Sequence, residues 1–182
     1  MTPAATLNAG LRKAILAAAD SPRVQRLVRR HGMRLGAARF VAGETVDDAV
    51  PVLRGLNEKG LRANTTLLGE GVRDEAEAAA VVAEYERLLD RIGAEELRVN
   101  LALKLTHLGL EIDPALAQAN LARLLERAAS HGNFVRIDME QSAFVDATLA
   151  IHRALREALA TSRRRIPAYL WGGFSAHVLG RR

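Results

Sequence analysis

The sequence contains no cysteine, which excludes a disulfide framework, cysteine-ligated zinc or iron–sulfur, and a thiol nucleophile. No apolar run approaches the ~20 residues of a transmembrane helix. Arg12, Lys13 and Asp20 interrupt or flank the first apolar stretch, so a signal-peptide core is not expected and a cytosolic location is. The five histidines form neither H-x-H nor H-E-x-x-H, and a metal hydrolase is not expected. Ser142 has no G-x-S-x-G context, so nothing supports a serine hydrolase.

What is present is ordinary globular material. The 182 residues are 49% hydrophobic and 26% charged, consistent with one domain or an incomplete larger one. The net charge of +5 is unevenly spread. Residues 1–40 carry eight Lys/Arg and one acid, residues 41–160 thirteen Lys/Arg and twenty acids, and residues 161–182 five Arg and no acid. Basic ends without zinc-finger spacing or an aromatic RNA-binding signature argue against a nucleic-acid partner.

Residues 5–19 are rich in Ala and Leu and predict a helix. Ser21-Pro22 caps a second one through Arg30, ended by His31-Gly32. This pair reads as a helix-turn-helix or as an N-terminal extension over 1–34; the acidic alternating structure that follows favours the extension. A strand–helix rhythm then begins. The predicted strands are 39–43, 61–68, 97–105, 133–139 and 165–170. The predicted helices are 46–58, capped by Thr45 and interrupted by Pro51, then 74–92, 114–129 behind Asp113-Pro114, and 143–159. A barrel domain over 35–170 and a divergent basic tail over 171–182 complete the expected organisation.

Alternating β and α elements predict right-handed βαβ units and a parallel sheet. An open doubly wound sheet and a (β/α)8 barrel both satisfy that pattern. Gly69-Glu70-Gly71 starts like a phosphate loop, but Asp74 stands where a third glycine belongs and no Walker lysine follows. The missing dinucleotide fingerprint tilts the reading toward a barrel. A barrel needs roughly 250 residues and eight strands, so a partial barrel of about four to five strands is expected.

In either fold the site lies beyond the carboxyl ends of the strands. Alternation puts Asn100, Ala102 and Lys104 on one face of their strand, and Arg136 and Asp138 on one face of the next. Lys104 and Asp138 thus fall together at two neighbouring strand ends. They are either a buried bridge that neutralises itself or the charged groups of a site at a barrel mouth; their position favours the site. His107, just past its strand, reads as incidental. Glu140, Gln141 and Ser142 read as a cap for the next helix.

The strand-end segments RFVAGET (39–45), LLGE (67–70), LALKLTHLGL (101–110), FVRIDME (134–140) and AYL (168–170) occur in an order and spacing that resembles the bacterial monofunctional proline dehydrogenases. The likeness covers residues 35–160 well, and the opening helices suit that family's helical extension. It implies a (β/α)8 flavoenzyme in which FAD accepts a hydride from C5 of L-proline, giving Δ1-pyrroline-5-carboxylate, and electrons pass to a quinone at the membrane surface. It implies substrate binding for Lys104, a catalytic role for Asp138 in the same ionic network, and a backbone close to the flavin for Met139.

The sequence also departs from the family. Pro167 stands where a flavin-contacting glutamine precedes A-Y-L, and TSRRRIP replaces a small apolar strand. Strands six to eight are absent, and with them the paired arginines that hold the substrate carboxylate. The change near residue 160 coincides with the all-arginine charge balance, so a frameshifted or truncated product, impaired or inactive, is the expectation. Other readings stay open on the residues alone. They are a Schiff-base aldolase using Lys104, a non-catalytic remnant that binds no flavin, and basic ends held on an anionic surface. A partial barrel with open sheet edges is expected to self-associate. Sedimentation of the purified chain checks this, and a monodisperse monomer with proline:acceptor turnover is the contrary result.

Overall fold

The computed structural model describes residues 41–69, 71–161 and 171–173, together with residues 12, 13, 17, 21–24 and 26. The chain divides into two units, residues 1–48 and 49–182. In the first, Arg12, Lys13, Ala17, Pro22, Arg23, Val24 and Arg26 have helical backbone. Ser21 lies outside the helix that Pro22 opens, as proline at the first helical position requires. The remainder of the two opening helices lies outside the described residues.

Helix α1 spans Val46–Glu58. Its start is fixed reciprocally: the Asp48 amide donates to Thr45 Oγ1 at 3.2 Å and the Thr45 amide to Asp48 Oδ2 at 3.1 Å. This is a capping box with Asp at its third position. Pro51 stays inside the helix.

Four strands follow: β1 (Ala63–Thr65), β2 (Val99–Leu103), β3 (Val135–Asp138) and β4 (Trp171–Gly173). They alternate with α2 (Glu75–Ala94), α3 (Pro114–Ser130) and α4 (Val145–Thr161). The strands form one parallel sheet in the order β1-β2-β3-β4. Consecutive helices are neighbours, α2 against α3 and α3 against α4. Strand order without reversal is a singly wound layer, and it decides for the barrel over the doubly wound sheet.

The first expected strand, 39–43, is not one where it is described: Val41–Gly43 is irregular, and Arg39 and Phe40 lie outside the described residues. Two of those three residues are Ala and Gly, which have little β preference. The expected strand at 165–170 lies outside the described residues. The strand that pairs with β3 begins at Trp171.

The strands start at 63, 99, 135 and 171, an even spacing of 36 residues. The turns feeding the first three share it. At Gly60, Glu96 and Gly132 the chain adopts positive φ (80°, 52° and 63°). The next amide, of Leu61, Leu97 or Asn133, reaches back to the carbonyl of Leu56, Ile92 or Ala128 at 2.8–3.0 Å. This is the Schellman closure, which satisfies orphan helix carbonyls and leads straight into the strand. The pairings run Ala63↔Val99, Leu101↔Val135 and Arg136↔Trp171, offsets of 36, 34 and 35 against the repeat. The lag totals three residues over three junctions, about one per strand, which is the stagger of an eight-stranded barrel of shear eight.

The core lies between sheet and helices. Leu101, Leu103, Val135 and Ile137 are buried on one face of the sheet. They meet the stripes Val82, Tyr85, Leu88, Leu89 and Ile92 of α2 and Leu121, Leu124 and Leu125 of α3. Each fully buried aliphatic contributes about 1.5–3 kcal/mol. Asp74 and Asp113 cap α2 and α3, accepting from the Glu77 and Ala115 amides at 2.8 Å. On the outer surface Arg123 pairs with Glu86, and Arg127 grips both oxygens of Asp90. Such exposed pairs align the helices but add only about 0.2–1 kcal/mol each.

Glu96 holds a left-handed conformation that its two counterparts give to glycine. Relieving that strain outweighs the extra freedom glycine gains when unfolded. Glu96→Gly is therefore expected to raise stability by about 0.5–1 kcal/mol, and Gly132→Ala to lower it by about 1 kcal/mol. Urea denaturation checks both, as shifts of midpoint at constant slope.

Candidate active site

Lys104 directly follows β2, and Asp138 is the last residue of β3. Leu103 pairs with Ile137, so the register carried one residue further sets Lys104 beside Asp138. Both are half-buried, while Leu103 and Ile137 between them are buried against the helices. Strand alternation therefore points both charges away from the helices, as the sequence predicts. Below them on the same face stand Ala102 and its partner Arg136, and below those Asn100 and its partner Asn64. Asn100 Oδ1 is buried with no protein donor. Asp138 also pairs with Gly173. Met139, half-buried, is the first residue beyond β3.

Glu140 is not a helix cap. Its carboxylate reaches back across the strand ends and accepts from the Thr106 amide at 3.1 Å and the Thr106 hydroxyl at 2.5 Å. Thr106 is buried, so this double bond ties the loop after β3 to the 3-10 turn Thr106–Leu108 after β2. The Asn120 side chain holds that turn from below, donating to the Leu108 carbonyl at 3.0 Å. The helical turn Ser142–Phe144 begins without a side-chain cap.

His107 is likewise not incidental. It is 9% exposed and meets the Tyr85 ring edge-on, with centroids 6.1 Å apart. Against the ring also lies Gly69, at positive φ, where a Cβ would come within 2.6 Å of His107 Nε2. Burial, and after it the Lys104 ammonium, holds the imidazole below its ordinary pKa, against the pull of Glu140 and Glu77. Tyr85 is fully buried, with its hydroxyl 3.5 Å from Thr66 Oγ1. Burial first, and the Asp138 charge last, raise its pKa, while Thr66 and the Leu67 backbone oppose.

The strand ends thus carry a cation and an anion above Ala102 on the inner face, braced by Glu140–Thr106 and by His107–Tyr85–Gly69. Such an arrangement suits a zwitterion between fixed charges. Alternation located the charges. The braces join loops that only tertiary packing brings together, so no local pattern reports them. Glu70 lies outside the described residues. Among the described residues no cluster of His, Asp and Glu could hold a metal, and no helix is long and apolar enough to cross a membrane.

A parallel singly wound layer with charged strand ends defines a segment of a (β/α) barrel, and comparison with known proteins makes it specific. The family model described as proline dehydrogenase matches residues 49–170. Proline dehydrogenase 1 of Bacillus subtilis strain 168 is 35% identical over 161 residues, covering 88% of this chain and 53% of that protein. Proline dehydrogenase of Deinococcus radiodurans is 32% identical over 147 residues, covering 79% and 47%. Among solved structures, proline utilization A (PutA) of Bdellovibrio bacteriovorus, inactivated by N-propargylglycine, superposes with a TM-score of 0.60 at 22% identity. It covers 75% of this chain and 17% of that one, a likeness of fold, the TIM-barrel type. The chain belongs to the proline dehydrogenase family. It spans about half the length of the curated relatives it matches.

Because the folded pKa of His107 lies below its unfolded value, the folded state binds less proton. The associated stability is complete above the unfolded value near 6.5 and is lost as pH falls below it toward the folded value. Urea midpoints are expected to fall between about pH 7 and pH 5, before the carboxylates titrate, and His107→Gln is expected to flatten that limb. An unchanged slope in the variant is the contrary outcome.

Proposed function

We propose that the chain carries the Lys104–Asp138 part of a proline dehydrogenase site, which oxidises L-proline to Δ1-pyrroline-5-carboxylate in proline catabolism with FAD as cofactor. The observation that carries this reading is the β2–β3 register, which brings one fixed cation and one fixed anion to the same level of one face. Proline is a zwitterion, with one charge of each sign. The Lys104 ammonium is assigned to its carboxylate, and the Asp138 carboxylate to the secondary ammonium. Asp138 is also the group positioned to take a proton as that nitrogen becomes an imine.

Proline dehydrogenases are as a class flavoproteins. The inner face fits a flat, hydrogen-bonding ring system: Ala102 leaves room between Asn100 and Lys104, and the buried Asn100 Oδ1 has no protein donor. The Met139 backbone, at the end of β3, is assigned to its edge. When bound, FAD supplies a two-electron acceptor. What Lys104 and Asp138 contribute is binding and orienting the amino acid, and holding its proton. The final electron acceptor is proposed to be a quinone reached peripherally at the membrane surface, with the protein itself cytoplasmic.

An absorbance spectrum of the chain with FAD, before and after anaerobic L-proline, tests the reading. A bound flavin band that bleaches with proline is the expected result. A chain that stays colourless, or a band indifferent to proline, sinks it. Lys104→Met is expected to weaken proline binding by about 1.5–3 kcal/mol, the worth of one charge-assisted contact. Asp138→Asn is expected to slow bleaching about 10²-fold or more.

A further inference from the structure

We propose that neutral His107 is a positioning residue: its ring seats the backbone of Gly69 against the turn after β2, whose His107 amide bonds the Lys104 carbonyl at 3.2 Å, and proton uptake unseats it. The contact is too close for any residue with a Cβ, since an added carbon at position 69 would lie 2.6 Å from Nε2 and 2.7 Å from Cε1. The ring also meets Tyr85 edge-on. It is nine-tenths buried, and its Nδ1 finds no hydrogen-bond partner. A neutral imidazole carries one N–H and tolerates that setting. An imidazolium carries two and must find an acceptor for each. The buried Nδ1 has none, so the charged ring must turn toward water and leave Gly69 behind.

The charges around the ring act in both directions. Lys104, from the end of β2, opposes protonation, while Glu140, from the loop after β3, and Glu77 of α2 favour it. The Tyr85 phenol of α2 adds no charge at neutral pH, because burial keeps it protonated. Burial of the ring together with the Lys104 charge outweighs the two glutamates, so the seated form is the one at pH 7 and above. Gly69 follows Leu68, which is 74% exposed at the carboxyl end of β1, so unseating it reshapes the rim beside Lys104. That consequence rests on the proline reading of Lys104; the seating itself does not.

The test uses the full chain labelled with ¹⁵N-glycine and contains neither proline nor flavin, so it is independent of the proposed activity. The backbone order of Gly69 is measured from pH 8 to pH 5 while the His107 ring is titrated by its Cε1 proton. The expected result is an order parameter that falls from about 0.85 to below about 0.6 with the midpoint of the ring. In His107→Gln, a neutral side chain of similar reach, Gly69 is expected to show no such transition. Gly69 order that stays constant while His107 titrates in the unsubstituted chain overturns the proposal. So does the same transition in the variant. If the variant does not fold, the titration of the unsubstituted chain still decides.

Discussion

The structure depends on the parallel pairing of β2 with β3 at Leu101↔Val135 and Leu103↔Ile137. With that register the buried residues of both strands meet α2 and α3, and Lys104 and Asp138 share the opposite face. A slip of one residue would turn one strand over. Leucines would then face the open side and the aspartate would enter the helix layer, where an unpaired carboxylate costs several kcal/mol. The same constraint that builds the core therefore assembles the charged strand ends.

The helix–strand turns serve that register. Closures at Gly60, Glu96 and Gly132 deliver β1, β2 and β3 three residues later, so these three strands are entered by the same turn. The lag of about one residue per strand tilts the layer toward closure. At the other end the loops are not uniform. Glu140 clamps Thr106, and His107 sits between Tyr85 and Gly69. Uniform turns at one end and individual loops at the other are the division of labour expected of a barrel enzyme, whose stability and chemistry sit at opposite ends.

Much of this was legible beforehand. Asp113-Pro114 and Thr45 announced their helices because capping is local chemistry. Alternation in VNLAL and VRID announced strand faces because the pleat has period two, and Lys104 and Asp138 followed. RFVAG looked like a strand from Phe40 and Val41, yet Val41–Gly43 is irregular, because a short β-type run becomes a strand only with a neighbour to pair with. Glu140 read as a cap from its nearness to Ser142. Its partner, Thr106, is 34 residues away, and no local pattern reports that distance.

The sequence by itself determined the order of helices and strands, the residues that face the core, and which two charges end neighbouring strands, because each follows from periodicity or from chemistry within a few residues. Only the tertiary structure decided that the sheet is singly wound, that the strands lag by about one residue per junction on average, and that His107 and Glu140 brace the strand ends. Those depend on contacts between residues tens of positions apart, and their free energy appears only once the intervening chain has packed.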